Sequence, residues 1–215
     1  MTRIKICGLS RPEDVEAVNA ARPDYCGFVV NFPKSRRNVS PEQAARLRRL
    51  LDDGITAVGV FVDQPPEVAA AMMNGGVIDI AQLHGHENES YFSRLRELTN
   101  GKPIWKAFKI RATADIEAAR RSSADFVLLD NGAGTGVAFD WTLIRDMGRP
   151  WILAGGLTPE NLPEAIRRLR PWWVDISGGV ETDGKKDRAK ILAAVRAARM
   201  AFAAPCGGDA ETNAP

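Results

Sequence analysis

The chain has 215 residues, of which 45% are hydrophobic and 26% charged, and its formal net charge at pH 7 is +2. A chain of this length can bury one large core, so we expect a single domain. The two charge signs are interspersed, and no basic block or mixture of basic and aromatic residues stands out. This pattern argues against nucleic acid as a partner.

The cysteines indicate a reducing compartment. Three are present, Cys7, Cys26 and Cys206, an odd number without the spacing of a disulfide framework or a zinc site. The sequence starts in a strand-like segment, with no charged leader followed by an apolar stretch, and it has no run of ~18 apolar residues. We therefore expect a cytoplasmic protein that binds neither a membrane nor a metal.

Short apolar or β-branched runs alternate along the chain with helical patterns, which is typical of βα units in a parallel sheet. Helices are predicted for segments such as SPEQAARLRRLLDD and KKDRAKILAAVRAARMAF. Eight units favour an α/β fold, the compact (β/α)8 TIM barrel, over a doubly wound open sheet, which more often has about five or six strands. In chain order, the predicted strands are RIKIC, YCGFVV, TAVGVFV, IDIAQL, IWKAFK, DFVLLD, WILAG and WVDIS.

Helix starts and the end of the barrel can also be predicted. Ser10, Ser40 and Thr158 each stand shortly before a proline and an acidic or amide residue, as an N-cap followed by proline in the first turn would. We assign residues 1–203 to the barrel. Residues 204–215 lack an apolar period and are predicted to form a disordered tail.

A barrel of this topology carries its chemistry on the loops that follow the carboxyl ends of the strands. The polar groups expected at that end come from all eight units. They are Cys7, Asn31 with the PKSRR loop, Asp63, His84, His86, Lys109, Asp130, the glycine pair Gly155 and Gly156, and Ser177 with Gly178 and Gly179.

Glycine-rich loops follow the last two predicted strands, as AGG and SGG. In this fold, backbone N–H groups at these two loops, next to a helix N-terminus, commonly bind a phosphate. Either loop alone could be a tight turn. Because the two occur on consecutive units, we predict a phosphate site that includes Gly155, Gly156, Ser177, Gly178 and Gly179.

The position of Cys7 at the end of the first predicted strand suggests a reactive thiol. In RIKIC, Cys7 shares a face with Arg3 and Lys5, so if the isoleucines meet the helices, Cys7 points into the barrel mouth. The alternative is a buried cysteine that only packs, which we expect of Cys26. An interior Lys5 needs a counter-charge, for which Asp175 of the neighbouring last strand is a candidate.

Asp130 ends the strand DFVLLD and shares a face with Phe126 and Leu128. Partial burial there would raise the pKa of the carboxyl group and keep a proton available, as a general acid requires. A helix N-cap or a structural ion pair is the alternative. A thiol base and a carboxyl acid facing one phosphorylated substrate would suit proton transfer between the carbons of a sugar phosphate.

Six motifs together resemble the phosphoribosylanthranilate isomerases of tryptophan biosynthesis. They are KICGLSRPEDV, GFVVNFPKSRRNVSPEQA, AQLHG, LLDNGAGTGVAFDW, LAGGLTPENL and VDISGGVETDGKKD, and the resemblance runs from about Arg3 to the last helix. It implies an Amadori rearrangement of N-(5-phosphoribosyl)anthranilate to the 1-deoxyribulose phosphate ketone, without cofactor or metal. The expected partner is this small phosphorylated substrate, and the expected state is a monomer or a homodimer.

The resemblance also implies roles for individual residues. Cys7 would be the base that removes the C2 proton, and Asp130 the acid that protonates the ribose ring oxygen. Arg37 would bind the anthranilate carboxylate, which a guanidinium fork can meet in bidentate fashion. A free thiol, with a pKa near 8.5, is mostly protonated at pH 7, so the site must lower the pKa of Cys7 or tolerate it.

The sequence departs from the family pattern in three loops. Val137 stands where the sixth loop commonly has lysine, and Gly178 replaces the second serine of the eighth loop. Arg36 and Asn38 occupy second-loop positions where the family frequently has proline or a basic residue, and tyrosine. These changes concern ligand contacts rather than the two proposed catalytic residues.

Other activities on a similar barrel stay open from sequence. A histidine-pathway phosphoribosyl isomerase would have an aspartate where this chain has Cys7. An indole-glycerol-phosphate synthase-like lyase would need a lysine acid, for which Lys106 or Lys109 is available. A pentose-phosphate epimerase would need a metal cluster, with only two histidines in the chain. A non-catalytic phosphate-binding module would bind ligands without turnover.

Overall fold

The computed structural model describes residues 2–130, 141–144 and 147–203. Eight parallel strands form a closed barrel, because the first strand pairs with both the second and the last. The predicted (β/α)8 architecture is thereby confirmed. In chain order the barrel strands are β1 Arg3–Cys7, β2 Tyr25–Val30, β3 Thr56–Phe61, β4 Ile80–Leu83, β5 Ile104–Lys109, β6 Phe126–Asp130, β7 Trp151–Leu153 and β8 Trp173–Ile176.

The described residues include seven α-helices, which cover the outside of the barrel. A 3-10 turn, Trp141–Leu143, lies between β6 and β7. Val137, Cys206 and the predicted tail over residues 204–215 lie outside the described residues. The α-helices are α1 Pro12–Ala21, α2 Pro41–Arg48, α3 Pro66–Asn74, α4 Glu89–Thr99, α5 Thr113–Arg121, α6 Leu162–Leu169 and α7 Arg188–Ala203.

Two of the predicted N-caps differ from the structure. Ser40 does cap α2, since its hydroxyl oxygen accepts from the backbone N–H of Gln43 at 3.2 Å. The prediction for Ser10 was wrong, because the N-cap of α1 is Arg11. Here the carboxylate of Asp14 accepts from the backbone N–H groups of Ser10 and Arg11, at 2.9 and 3.1 Å, and so caps the chain from inside the helix.

The prediction for Thr158 is confirmed in its hydrogen bonds but not in the helix boundary, because α6 starts at Leu162 with Asn161 as its N-cap. The backbone N–H of Thr158 donates to the Asn161 side chain at 2.8 Å, and the Asn161 N–H donates to the Thr158 hydroxyl at 3.4 Å. These reciprocal bonds form a separate turn before the helix. They have the pattern of a capping box, in which the side chains of residues i and i+3 each accept from the other's backbone N–H.

Aromatic side chains fill the amino-terminal end of the barrel. The rings of Trp105 and Trp173 stack with centroids 5.7 Å apart, and Phe126 meets Trp173 edge-on at 4.1 Å. Tyr25 packs edge-on against both tryptophans. Because large rings occupy this end, space for a ligand remains at the carboxyl ends of the strands, where the fold usually carries its chemistry.

Above the aromatic layer, an ion pair joins the first and last strands. Lys5 and Asp175 are register partners between β1 and β8, and Lys5 Nζ lies 2.8 Å from Asp175 Oδ2. The same ammonium group donates to Gln82 Oε1 at 2.9 Å. Burial acts to lower the pKa of Lys5, but the neighbouring Asp175 outweighs it and the pKa is raised. The predicted pairing of Lys5 with Asp175 is confirmed.

Removing one partner of this pair should destabilise the protein. We expect Lys5→Met to lower the free energy of unfolding by roughly 3–5 kcal/mol, because it leaves a buried carboxylate without its cation. The double variant Lys5→Met/Asp175→Leu should recover most of the loss, since it removes both charges. Urea unfolding of the three proteins tests this expectation, and a double variant as unstable as the single one would contradict it.

Candidate active site

A cavity of about 530 Å³ opens at the carboxyl ends of the strands, a size that suits a small-molecule ligand. All eight predicted site residues lie on its wall, although they come from β1, from β6 and from the loops after β2, β7 and β8. Gln82, His84 and Asp175 line it as well. The eight are Cys7, Arg37, Asp130, Gly155, Gly156, Ser177, Gly178 and Gly179.

Four other polar residues expected at the mouth lie away from this wall in the part of the chain that the structure describes. Asp63 and His86 contact each other at 3.0 Å beside a separate, shallower depression. The backbone N–H of Asn31 donates to the carbonyl oxygen of Val39, in the two-residue strand Asn38–Val39 that pairs with β2. Lys109 is exposed. Sequence position alone therefore did not distinguish residues of the cavity from residues of its rim.

The thiol of Cys7 lies on the inner face of β1, as predicted. Its neighbour across the β1–β2 register is Gly27, and a Cβ atom at Gly27 would come within 2.8 Å of Cys7 Sγ. Glycine at this position thus provides the space that the thiol occupies. Cys7 is only 8% exposed, so the thiol is largely shielded from solvent while lining the cavity.

Burial raises the pKa of the Cys7 thiol, and the neighbouring Lys5 and Lys186 act in the opposite direction without cancelling the effect. The site therefore does not lower this pKa, and the thiol is mostly protonated at neutral pH. Cys26 is a contrast, because it is fully buried in the core between the barrel and the helices. Burial there raises the pKa of Cys26 to about 12, which agrees with a packing role.

A chain of polar side chains connects Lys5 with Asp130. An ammonium group only donates, so Gln82 presents its oxygen to Lys5, at 2.9 Å, and its NH₂ group to His84 Nδ1, at 3.4 Å. His84 Nδ1 then accepts, which places the proton of a neutral ring on Nε2. That nitrogen lies 3.4 Å from Asp130 Oδ2. The position of the proton on a neutral His84 ring, facing Asp130, thus follows from the ammonium group of Lys5.

Arg37 is held by a carboxylate of its own chain. Its Nε and Nη2 atoms donate to Glu181 Oε1 and Oε2, at 2.5 and 2.9 Å. Lys186 Nζ donates to Glu181 Oε1 at 2.8 Å, and Arg36 binds Glu181 as well. Burial alone would raise the pKa of Glu181, but the hydrogen bonds from Arg37 and the charge of Lys186 lower it to about 2.

A β-hairpin places Glu181 beside Lys186, and sequence reasoning missed this pair. The strands Glu181–Thr182 and Lys185–Lys186 are antiparallel, with Glu181 directly opposite Lys186. The two residues of the turn, Asp183 and Gly184, have φ values of 51° and 76°, as a type I′ turn requires. Asp-Gly between two short segments is a strong hairpin signal, and it was present in ETDGKK.

The two glycine-rich loops contact each other at the cavity. A Cβ atom at Gly179 would lie 1.9 Å from the carbonyl oxygen of Leu157, so only glycine fits there. At Gly178 it would meet Arg37 Nη2 at 3.5 Å, an ordinary contact, so this position also accepts a side chain. The helix N-terminus that we expected next to the eighth loop is not an α-helical one. The loop continues into a 3-10 turn, Gly178–Val180, and the next α-helix starts at Arg188.

Three further findings concern the environment of Lys106, the side chains available to a metal ion and the length of the helices. Lys106 donates to Glu87 and to the carbonyl oxygen of Gly85, at 2.8 and 2.7 Å, and is absent from the described cavity wall. Over residues 2–130, 141–144 and 147–203, no group of three or more His, Cys, Asp or Glu side chains could hold a metal ion. Within those same ranges, the helices are too short or too polar to cross a membrane.

Known proteins of one family are similar to this chain. The family model described as N-(5′-phosphoribosyl)anthranilate (PRA) isomerase matches residues 4–197. The N-(5′-phosphoribosyl)anthranilate isomerase of Endomicrobium trichonymphae is 44% identical over 204 residues, which cover 93% of this chain and 99% of the relative.

Solved structures agree with this result. The phosphoribosylanthranilate isomerase of Thermotoga maritima superposes with a TM-score of 0.83 at 36% identity, covering 93% of this chain and 100% of the other. A phosphoribosylanthranilate isomerase in complex with reduced 1-(o-carboxyphenylamino)-1-deoxyribulose 5-phosphate has a TM-score of 0.81, with the same identity and coverage. The chain belongs to the N-(5′-phosphoribosyl)anthranilate isomerase family.

Proposed function

We propose that the chain isomerises N-(5-phosphoribosyl)anthranilate to 1-(2-carboxyphenylamino)-1-deoxyribulose 5-phosphate, with Cys7 as the base and Asp130 as the acid. The observation that carries the proposal is the composition of one cavity wall. A thiol, a carboxyl group, an arginine and two glycine-rich loops line the same space of about 530 Å³. Each of them matches one chemical feature of this substrate.

The substrate has an anionic group at each end, and the cavity offers a partner for both. Arg37 can bind the carboxylate of the anthranilate ring, because a guanidinium fork matches the geometry of a carboxylate. The backbone N–H groups around Gly155, Gly156, Gly178 and Gly179 can bind the phosphate, as the loops after the last two strands commonly do in this fold. A ligand held at both ends presents its ribose carbons to the residues between them.

A sequence of proton transfers then converts the sugar. Asp130 donates a proton to the ring oxygen as the C1–O bond breaks, and the nitrogen lone pair forms the C1=N bond of a Schiff base. Cys7 removes the C2 proton, and the freed electron pair forms the C1=C2 bond while the nitrogen becomes neutral. The enolamine loses its O2 proton and gains a proton at C1 to give the ketone. A proton passed from Cys7 to Asp130 through solvent restores both groups.

The proposed reaction requires opposite protonation states, an ionised Cys7 and a protonated Asp130. The base must be a thiolate, and Lys5 and Lys186 both act to lower the pKa of Cys7 against the effect of burial. The acid must carry a proton, and the negative charges of the bound substrate favour the protonated form of Asp130. We infer that substrate binding assists the acid while the two lysines assist the base.

Other features of the chain fit this proposal. A thiolate base has to stay reduced, which suits the cytoplasm. All the proposed site residues come from one chain, so either a monomer or a homodimer can carry the activity. The lyase alternative has less support, because neither Lys106 nor Lys109 reaches the described cavity wall. The histidine-pathway alternative lacks its aspartate, since Cys7 ends β1.

The activity can be tested directly by fluorescence. Phosphoribosylanthranilate is generated in place, and its anthranilate-type fluorescence is followed as the purified chain consumes it. We expect the fluorescence to decay in proportion to the concentration of the chain. Binding of the reduced product analogue without any decay would identify a non-catalytic phosphate-binding protein instead.

The role of Cys7 predicts a large loss of rate with little loss of affinity. We expect Cys7→Ser to lower kcat about 100-fold or more, because a hydroxyl group is a far poorer base and only the transition state depends on it. The matched control is Cys26→Ser, the same exchange at the other buried cysteine, which should keep its rate if it folds. A Cys7→Ser protein with more than about a tenth of the wild-type rate would remove Cys7 as the base.

The role of Asp130 can be separated from a structural one by a second exchange. We expect Asp130→Asn to keep its thermal stability and to lose at least about two orders of magnitude in kcat, because asparagine cannot donate the required proton. A helix cap or a structural partner of His84 predicts a stable and active variant instead. Asp63→Asn, at a mouth aspartate off the cavity wall, is the control for a change of charge.

The proposed chemistry needs no metal ion. We expect the rate to survive exhaustive treatment with EDTA, because each proposed step is a proton transfer and none is assigned to a metal ion. The measurement compares kcat before and after chelation and after adding back a divalent cation. A rate that falls with EDTA and returns with the cation would overturn this expectation.

A further inference from the structure

The proposed carboxylate-binding residue, Arg37, already binds one carboxylate. Two of the five N–H donors of a guanidinium group bond Glu181, through Nε and Nη2. Arg37 nevertheless lines the cavity with Cys7 and Asp130. Since Nε and Nη2 form one edge of the planar group, a second carboxylate can approach the end formed by Nη1 and Nη2.

The buried ammonium group of Lys186 fixes the Glu181 carboxylate. Its side chain is 4% exposed and that of Lys186 is 2% exposed. Lys186 Nζ bonds Glu181 at 2.8 Å and the carbonyl oxygen of Ser177 at 2.9 Å. The Ser177 hydroxyl in turn donates to the carbonyl oxygen of Cys7 at 3.0 Å. The carboxylate that orients Arg37 is thus tied to the end of the strand that carries the thiol.

We propose that Glu181 is a positioning residue that determines the selectivity of the cavity for ligands with an aromatic carboxylate. It fixes the plane of the Arg37 guanidinium and leaves one end of it for the ligand. This inference rests on the proposed function, because it concerns how Arg37 would bind the anthranilate carboxylate.

Two physical effects support this role. A guanidinium that is already fixed loses less conformational entropy when a ligand binds. Less of the favourable free energy of the new hydrogen bonds is then offset, and the affinity for the ligand is higher. Glu181 also moderates the local charge: Arg36, Arg37 and Lys186 surround it, and without it three cations would repel one another at the mouth. A carboxylate on the ligand then meets an ordered donor.

The test compares two ligands in three proteins. One ligand is reduced 1-(o-carboxyphenylamino)-1-deoxyribulose 5-phosphate, and the other is the same compound with a phenyl ring that lacks the carboxylate. Their Kd values are measured by calorimetry with the wild type, Glu181→Gln and Glu181→Asp. In the wild type, we expect the carboxylate ligand to bind at least about tenfold more tightly than the ligand without it.

In Glu181→Gln, we expect that ratio to fall by at least about tenfold, with little change in the Kd of the ligand that lacks the carboxylate. Glu181→Asp keeps the charge beside Lys186 but is too short to hold both Arg37 atoms, so its ratio should also fall. It keeps the test open if Glu181→Gln fails to fold. Equal losses for both ligands, or a higher ratio in the variants, would overturn the inference.

A matched control uses the other buried glutamate that pairs with a buried lysine. Glu87 bonds Lys106 at 2.8 Å, with side chains 1% and 7% exposed, and it lies off the described cavity wall. Glu87→Gln should leave the ratio of the two Kd values unchanged. If the wild type turns over phosphoribosylanthranilate and the Glu181 variants keep the ratio, only this inference fails. If the wild type shows no turnover, the proposed function fails and the inference fails with it.

Discussion

The ion pair between Lys5 and Asp175 is the buried contact from which the arrangement of the polar groups in the cavity follows. It lies at the seam where β8 returns to β1, and its register places Cys7, two residues after Lys5, at the mouth. Charges in a barrel interior are costly unless they are paired, so the pair favours the alignment of the first and last strands that brings Lys5 opposite Asp175. The proposed base is therefore positioned by the same contact that closes the fold.

The ammonium group of Lys5 also orders the polar groups above it. Its bond to Gln82 sets the orientation of that amide, and through it the side of His84 that faces Asp130. Lys186 acts similarly on the other side, where it bonds Glu181 and Ser177. Each lysine is buried and only donates, so Lys5 joins acceptors on two strands, β4 and β8, and Lys186 joins acceptors in the segment that follows β8. The proposed acid, base and arginine are thus held by a small number of buried cations.

The fold could be predicted closely from sequence because its signals are local. The short apolar or β-branched runs RIKIC, YCGFVV and IWKAFK predicted β1, β2 and β5 to the residue, and the chain order of the units indicated the barrel. The contact of Arg37 with Glu181 could not be predicted, since it joins residues 144 positions apart and depends on a hairpin. The late start of α6 has a local cause instead, the separate turn that Thr158 and Asn161 form through their reciprocal hydrogen bonds.

The central claim is that Cys7, Asp130, Arg37 and the two glycine-rich loops act on one substrate. The most direct measurement is a crystal structure of this chain with reduced 1-(o-carboxyphenylamino)-1-deoxyribulose 5-phosphate. The account predicts the carboxylate on Arg37, the phosphate on the loops of Gly155–Gly156 and Gly178–Gly179, and C2 of the sugar beside Cys7 Sγ. A ligand bound in the reverse orientation, or with C2 remote from the thiol, would contradict it.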